Sequence, residues 1–118
     1  MTTFSNNKAI FLQMADRLCD DILADKYKAD DRIPSVREYA VMLEVNTNTA
    51  VKAYEELARE GVIYNRRGLG YFVEANAKEH IMQARRDAFF SGVLPEVFRQ
   101  MRLLDIGIDE VNMKWDEQ

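Results

Sequence analysis

The sequence IPSVREYAVMLEVNTNTAVKAYEELAREGVIYNRRGLGYFV, at residues 33–73, encodes two capped helices followed by a glycine-tipped hairpin. Ser35 and Glu38 have the Ser-x-x-Glu spacing of a capping box, which predicts that a helix begins there. Apolar residues then repeat at helical spacing and give this helix one buried face. They are Val36, Tyr39, Ala40 and Leu43.

A second helix follows after a connection of only a few residues. Asn46 is a favourable N-cap, and Gly61 suits the position just beyond a helix end. Two helices joined so tightly match the helix-turn-helix pattern, whose second helix enters the major groove of DNA. The inner face of this second helix is predicted to consist of Ala50, Ala53, Tyr54 and Leu57.

Two short runs of strand-forming residues, 62–64 and 71–73, predict a hairpin with a loop of roughly five or six residues. Arg66 and Arg67 at its tip suit phosphates or a narrow, electronegative minor groove, although a solubilising turn is the alternative. Together, the helices and the hairpin predict a mainly α protein with a small β-hairpin wing, which is a winged helix-turn-helix.

The order and spacing of these segments resemble the GntR family of bacterial transcription regulators, in particular its short YtrA-like branch. The family segment Leu-Pro-Ser-x-Arg-Glu-Leu-Ala corresponds to residues 33–40, and Asn-x-Asn-Thr to residues 46–49. Ala-Tyr-x-x-Leu, Glu-Gly and the Gly-x-Gly wing follow at residues 53–57, 60–61 and 68–70. The resemblance covers nearly the whole chain.

This resemblance implies which residues touch an operator. Small polar groups at the start of the second helix also allow a close approach to the duplex, where backbone N–H groups meet a phosphate. An ordinary capped helix in solvent is the alternative for this segment. The predicted DNA-binding residues are Ser35, Arg37, Asn46, Thr47, Asn48, Thr49, Lys52, Arg66, Arg67 and Gly68.

Three segments depart from the family pattern. Ala29-Asp30 stands where many relatives have Pro-Gly, and Glu44 stands where a glycine is frequent in the tight turn. If its φ angle is positive, Glu44 carries roughly 1 kcal/mol of strain. Thr47 replaces an arginine that many members have, so the base preference of better-known relatives does not transfer and the operator sequence stays open.

The whole chain is acidic, with 20 Asp and Glu against 16 Lys and Arg. Residues 32–73, however, contain six basic and five acidic side chains, so the acidic excess lies elsewhere. A phosphate responds to the electrostatic field of nearby charges rather than to the net charge of the chain. Cations at Arg37, Lys52 and the wing can therefore still converge on DNA. We expect binding of modest affinity with a strong dependence on salt.

An amphipathic first helix is predicted from about Asn6 to Tyr27, with an apolar face that core packing explains. Cys19 adjoins this face and is the only cysteine, so it cannot close an intrachain disulfide. A buried, inert thiol is favoured over a redox sensor. The chain shows no signal peptide and no long apolar run, which favours a cytoplasmic protein without a membrane partner.

Residues 76–118 predict a helical tail beyond the winged domain of residues 1–75. A tail of this size is too small to enclose a ligand-binding core of its own. Pro95 should kink or break its helix after Gly92, and Gly107 should end the next segment before a last short turn at 109–115.

The apolar surface of the tail exceeds what the winged domain can cover, and a homodimer would bury it. The YtrA-like branch uses its short tail for dimerisation, so the resemblance implies the same role here. The predicted interface residues are Ile81, Ala88, Phe89, Val93, Val97, Phe98, Met101 and Leu104.

The sequence contains no catalytic constellation, cofactor motif or metal-ligand cluster. His80 falls on a charged, exposed turn and is interpreted as a surface residue rather than a catalytic or metal-binding one. Gly68 and Gly70 lie between strands, so they do not form the phosphate loop that joins a strand to a helix. We expect neither enzymatic activity nor a cofactor.

The predicted function is that of a homodimeric, sequence-specific repressor that binds a palindromic operator. One alternative is a winged helix that binds proteins and has lost DNA binding, but such a module has no need for cations aimed at one surface. Another is a regulator that also senses a small-molecule effector between the helical tails.

Overall fold

Three helices and a hairpin form the N-terminal part of the fold. Helices α1, α2 and α3 span Ile10–Leu23, Val36–Leu43 and Thr47–Arg59. The strands β1 (Ile63–Arg66) and β2 (Gly70–Val73) then pair antiparallel as a two-stranded sheet. This order of elements confirms the predicted winged helix-turn-helix.

The C-terminal part is helical in this structure, a computed structural model that describes residues 8–118. Helix α4 spans Ala77–Ala88 and continues through a π-helical segment, Phe89–Val93, into helix α5, Leu94–Leu104. Helix α6 follows at Ile108–Asp116.

Tyr54 holds the three-helix core together. Its ring packs edge-on against Tyr71, with centroids 5.1 Å apart, and lies 5.8 Å from the Tyr39 ring. The Tyr54 hydroxyl donates a hydrogen bond to the Pro34 carbonyl oxygen at 2.5 Å, while the Tyr39 hydroxyl donates to the Met14 carbonyl oxygen at 3.1 Å. These bonds join the start of α2 to α3, and α2 to α1. Burial raises the pKa of both tyrosines, so both remain donors at neutral pH.

Helix α1 is shorter than the sequence predicts. It begins at Ile10 and ends at Leu23, whereas the prediction ran from Asn6 to Tyr27. Asn6 lies outside the described residues. At the other end, Asp25 adopts a φ of 64°, a left-handed conformation that cannot continue the helix. The shorter helix still buries Met14, Ala15, Leu18, Cys19 and Ile22.

The turn between α2 and α3 places Glu44 in the left-handed region, with φ 56° and ψ 45°. The following Val45 N–H donates to the Ala40 carbonyl oxygen at 2.9 Å, which closes the end of α2. Glu44 therefore has the positive φ angle for which the sequence predicts backbone strain. Asp30, the second position that departs from the family pattern, also has a positive φ, at 65°.

The hairpin has a tighter tip than predicted. Arg66 pairs with Gly70 across the strands, and the Leu69 N–H donates to the Arg66 carbonyl oxygen at 2.8 Å. The loop therefore contains only residues 67–69 rather than five or six residues. A third segment adds to the outer edge of β2, where Arg32 bridges Phe72.

The start of α4 belongs to the core of the N-terminal unit. The chain divides into two compact units, one up to Met82 and one from Gln83 onward. Ala77 is fully buried and Ile81 is 4% exposed, both within the core of the first unit. The prediction that Ile81 contacts a partner chain is therefore wrong, because its own domain already covers the side chain.

Two predicted helix breaks in the tail take other forms. Pro95 does not interrupt the succession of helices. The π-helical turn before it widens the backbone. The proline then lies in the first turn of α5, where no backbone N–H is needed as a donor. Helix α5 ends at Leu104 with Asp105 in the left-handed region, at φ 55°. Gly107 is instead the residue that precedes α6.

Candidate nucleic-acid interface

The amino end of α2 carries the predicted capping box. Ser35 Oγ accepts a hydrogen bond from the Glu38 N–H at 3.1 Å, and Glu38 Oε1 accepts one from the Ser35 N–H at 2.8 Å. Hydrogen bonds to the carboxylate from the Ser35 backbone N–H and from the Ser35 side chain lower the pKa of Glu38, and the charge of Arg32 adds a smaller effect in the same direction. Arg37, the second residue of the helix, is exposed.

The amino end of α3 presents small polar groups at the solvent surface. Asn46 Oδ1 accepts the Asn48 N–H at 2.7 Å, which confirms the predicted N-cap. Thr47 and Asn48 are exposed, while Thr49 is half-buried. Lys52 is exposed one turn after Asn48 and therefore lies on the same helix face. A helix end of this kind can offer N–H groups to a phosphate and side chains to base edges.

The second half of α3 has a different charge. Arg59 forms an ion pair with Glu56, so its charge is compensated within the helix. Glu60 follows at the helix end, and burial together with a hydrogen bond that its protonated carboxyl donates to Glu56 raises its pKa. A cation that is already paired with a carboxylate, or an acidic side chain, attracts phosphate poorly. The candidate contact surface of α3 is therefore confined to its first two turns.

The wing presents Arg66 and Arg67 beside a three-residue turn. Arg66 lies over the Phe72 ring, with its guanidinium carbon 5.4 Å from the ring centroid. Arg67 is exposed, and within residues 8–118 it forms no ion pair. Gly68 has a φ of 80° and no atom within 4 Å of where a Cβ would lie, so it is required for backbone conformation rather than for space.

All ten predicted DNA-binding residues lie in the N-terminal unit, at the starts of α2 and α3 and around the hairpin tip. Eight are exposed, and only Ser35 and Thr49 are half-buried. Contact with DNA stays a prediction for each of them.

Arg32 is an exposed cation that is not among the ten predicted DNA-binding residues. Its backbone pairs with Phe72, forty residues further along the chain, so no local pattern in the sequence places it beside the wing. The one available signal was a basic residue directly before the buried Ile33.

The tail leaves most of the predicted interface residues uncovered. Met101 is half-buried, and the remaining ones other than Ile81 are exposed. Phe89 is 46% exposed and Phe98 is 41% exposed, large fractions for phenylalanine. The exposed members of the predicted interface are Ala88, Phe89, Val93, Val97, Phe98 and Leu104.

Cys19 is buried in the core, as predicted. His80 is exposed on α4 and faces Gly61, where a Cβ would lie 3.4 Å from its Nδ1. Within residues 8–118, no three His, Cys, Asp or Glu side chains are grouped so that they could hold a metal ion. Over the same residues, each helix is too short or too polar to cross a membrane.

Comparison with known proteins gives consistent matches. The sequence model of a family described as bacterial regulatory proteins, gntR family, matches residues 11–73. The chain is 33% identical to the uncharacterized HTH-type transcriptional regulator YhcF of Bacillus subtilis, across 92% of this chain and 88% of that protein. It is 38% identical to the HTH-type transcriptional repressor YtrA of the same species, across 64% of this chain and 58% of the repressor. The crystal structure of a GntR-family transcriptional regulator from Bacteroides thetaiotaomicron has a TM-score of 0.82 at 47% identity and covers 92% of this chain and 95% of that one.

Proposed function

This chain belongs to the GntR family of bacterial regulatory proteins, and on that premise we propose that it is a homodimeric repressor that binds a palindromic operator. The family consists of DNA-binding transcription regulators that are generally not enzymes. The proposal goes beyond family membership in three respects: the homodimeric state, the palindromic operator and repression as the direction of regulation.

The observation that carries the proposal is the chemistry exposed at the starts of α2 and α3 and at the wing tip. Arg37, Lys52 and Arg67 form no ion pair within the described residues, so their charges are available to phosphates. Asn48 and Thr47 lie beside the first turn of α3, where amide and hydroxyl groups suit base edges. A helix-turn-helix places this end of its second helix in the major groove.

Two further observations support the dimer and the repressor. A monomer exposes Phe89, Val93 and Phe98 on consecutive turns of the tail, and a second copy of the same surface would bury them. A two-fold dimer binds half-sites about one helical turn apart, hence a palindrome. YtrA of Bacillus subtilis, one of the relatives, is itself named a transcriptional repressor.

Titration of the purified protein against its own promoter fragment tests the proposal. We expect specific binding to an imperfect palindrome that weakens steeply between roughly 50 and 200 mM salt. Arg37→Ala should cost about 1–3 kcal/mol and relax the preference at one base pair, whereas Arg67→Ala should weaken binding to all sequences alike and lower the salt slope by about one. Lys26→Ala, a change of the same charge in the loop after α1, is the matched control and should leave binding unchanged. Absence of binding to any promoter fragment, or binding that salt does not weaken, would refute the proposal.

A further inference from the structure

The two faces of the hairpin have different surroundings. Ile63 and Val73 face the core and are buried, and Tyr71 packs against Tyr54 on the same side. Side chains alternate along a strand, so Tyr64, Arg66, Gly70 and Phe72 belong to the opposite, outer face. Arg66 belongs to this outer face of the wing, and a second arginine, Arg32, lies beside it.

Arg66 is held on the outer face by a stack of aromatic rings. Its guanidinium lies over Phe72, and the Phe72 ring stacks on Tyr64 with centroids 5.8 Å apart and planes 23° apart. The Tyr64 hydroxyl in turn donates a hydrogen bond to Asp30 Oδ1 at 2.8 Å. An arginine stacked in this way loses less side-chain freedom when it binds an anion, because part of that freedom is already lost.

Arg32 lies beside the outer face as well, at the edge of β2 that is not paired with β1. Its guanidinium crosses over Gly70, so closely that a Cβ at Gly70 would lie 3.2 Å from Arg32 Nε and 3.6 Å from Nη2. Gly70 is also the cross-strand partner of Arg66. The glycine therefore lies between two guanidinium-bearing residues, and its missing side chain leaves the space that Arg32 occupies.

We propose that Arg32 and Arg66 form a phosphate-binding face on the outer side of the wing, with Phe72 as the residue that positions Arg66. The ligand is the phosphate backbone of double-stranded DNA, so this inference rests on the proposed function. It adds a sequence-independent contact beside the wing tip, made by Arg32, which is not one of the ten predicted DNA-binding residues.

Charge favours an anion at this face. Arg32 and Arg66 form no ion pair within residues 8–118, so both guanidinium groups are available to an anion. Two carboxylates nearby have other hydrogen-bond partners: Glu38, whose pKa the charge of Arg32 lowers, caps α2, and Asp30 accepts the Tyr64 hydroxyl. Glu74 adds a negative charge near Tyr64 but does not pair with either arginine. A guanidinium presents a planar fork of donors that matches phosphate oxygens.

Salt titrations of DNA binding by Arg32→Ala test the inference. Each phosphate contact adds about 0.9 to the slope of log K against log salt, so its loss should lower the slope by that amount and weaken binding about eightfold at 0.1 M salt. The loss should be equal for the promoter fragment and for an unrelated duplex of the same length, because phosphates carry no sequence information. Arg32→Lys should keep the slope, and Lys26→Ala should change neither quantity.

Phe72→Leu tests the positioning role. It should weaken binding when Arg66 is present but add nothing in an Arg66→Ala background, and a general loss of folding would not give this dependence. Thermal unfolding of each variant in the absence of DNA provides the control for stability. If Arg32→Ala behaves like Lys26→Ala while Arg37→Ala still loses binding, the inference is wrong and the proposed function stands. If the unaltered protein binds no DNA, both are wrong.

Discussion

Glu44 is the residue at which the chain departs most clearly from the conformational preference of its amino acid. A left-handed residue with a Cβ costs roughly 1 kcal/mol relative to glycine, because the Cβ approaches a backbone oxygen. The tight connection between α2 and α3 leaves no other path, since Val45 must donate to the Ala40 carbonyl. The strain is therefore a property of the turn rather than of the glutamate.

We predict that Glu44→Gly raises the free energy of unfolding by roughly 1 kcal/mol, less the entropy that glycine adds to the unfolded chain. Urea denaturation followed by circular dichroism measures the change. Glu55→Gly is the matched control, because it makes the same replacement at an exposed position inside α3, where glycine should destabilise by about 1 kcal/mol. A loss of stability at both positions would show that Glu44 is not strained.

At the scale of single elements, α2 depends on its capping box. The two hydrogen bonds with Ser35 lower the pKa of Glu38 from its ordinary value of 4.5. Between the two pKa values, the unfolded chain binds the proton and the folded chain does not. The stabilisation by this carboxylate is therefore complete above pH 4.5 and is lost as the pH falls through the lower, folded value.

Glu38→Gln should remove this pH dependence while keeping a side chain that can accept the same bond. Melting temperatures measured between pH 7 and pH 3 should fall further for the unaltered protein than for Glu38→Gln. The other carboxylates contribute to both curves alike. Glu55→Gln removes an exposed carboxylate from the middle of α3 and should leave the slope unchanged. Parallel curves for the unaltered protein and Glu38→Gln would contradict the prediction.

The elements that sequence predicts well are those whose signals are local. Ser35 with Glu38 and Asn46 each mark a helix start within three or four residues, and Gly61 marks an end, so these boundaries are confirmed. The hairpin tip was predicted too wide because the pairing of Arg66 with Gly70 depends on the whole sheet. The position of Arg32 beside Phe72 depends on contacts forty residues apart, which no local pattern encodes.

Proline and glycine misled the prediction in the tail for a related reason. Both residues disfavour a helix interior but are accepted at its ends, so the residue type alone does not say whether a helix stops or starts. Pro95 lies in the first turn of α5, and Gly107 immediately precedes α6. For the predicted DNA-binding residues, the sequence and the family resemblance indicated positions that are mostly exposed. Neither gives the relative strength of their contacts with DNA.

At the scale of the whole molecule, the proposed function gives the tail the role of joining two copies so that two half-sites are bound together. We predict that the double substitution Phe89→Glu and Phe98→Glu yields a monomer, because each change places an unpaired charge in an apolar interface. Sedimentation measures the mass, and titration with the promoter fragment measures the affinity. Since a dimer holds the second half-site contact at high effective concentration, the monomer should bind only weakly and with little specificity.

Val41→Glu is the matched control for this experiment. Val41 is 77% exposed on α2, so the same kind of change there should leave the oligomeric state unaltered. A protein that is already a monomer, or a double variant that still binds the palindrome tightly, would show that the tail has another role. A truncated winged domain for comparison must extend to Met82, because a cut after Ala75 would remove Ala77 and Ile81 from the core.

Tyr54 has a consequence for how such a protein can change over evolutionary time. One ring and one hydroxyl join α3 to Pro34 at the start of α2 and to Tyr71 in the wing strand. The relative placement of the three segments that we predict to contact DNA is thus set from inside the domain, by a fully buried residue. Outward-facing positions such as Thr47 and Asn48 can then be exchanged without moving the frame, so that descendants acquire new operators while inheriting the same scaffold.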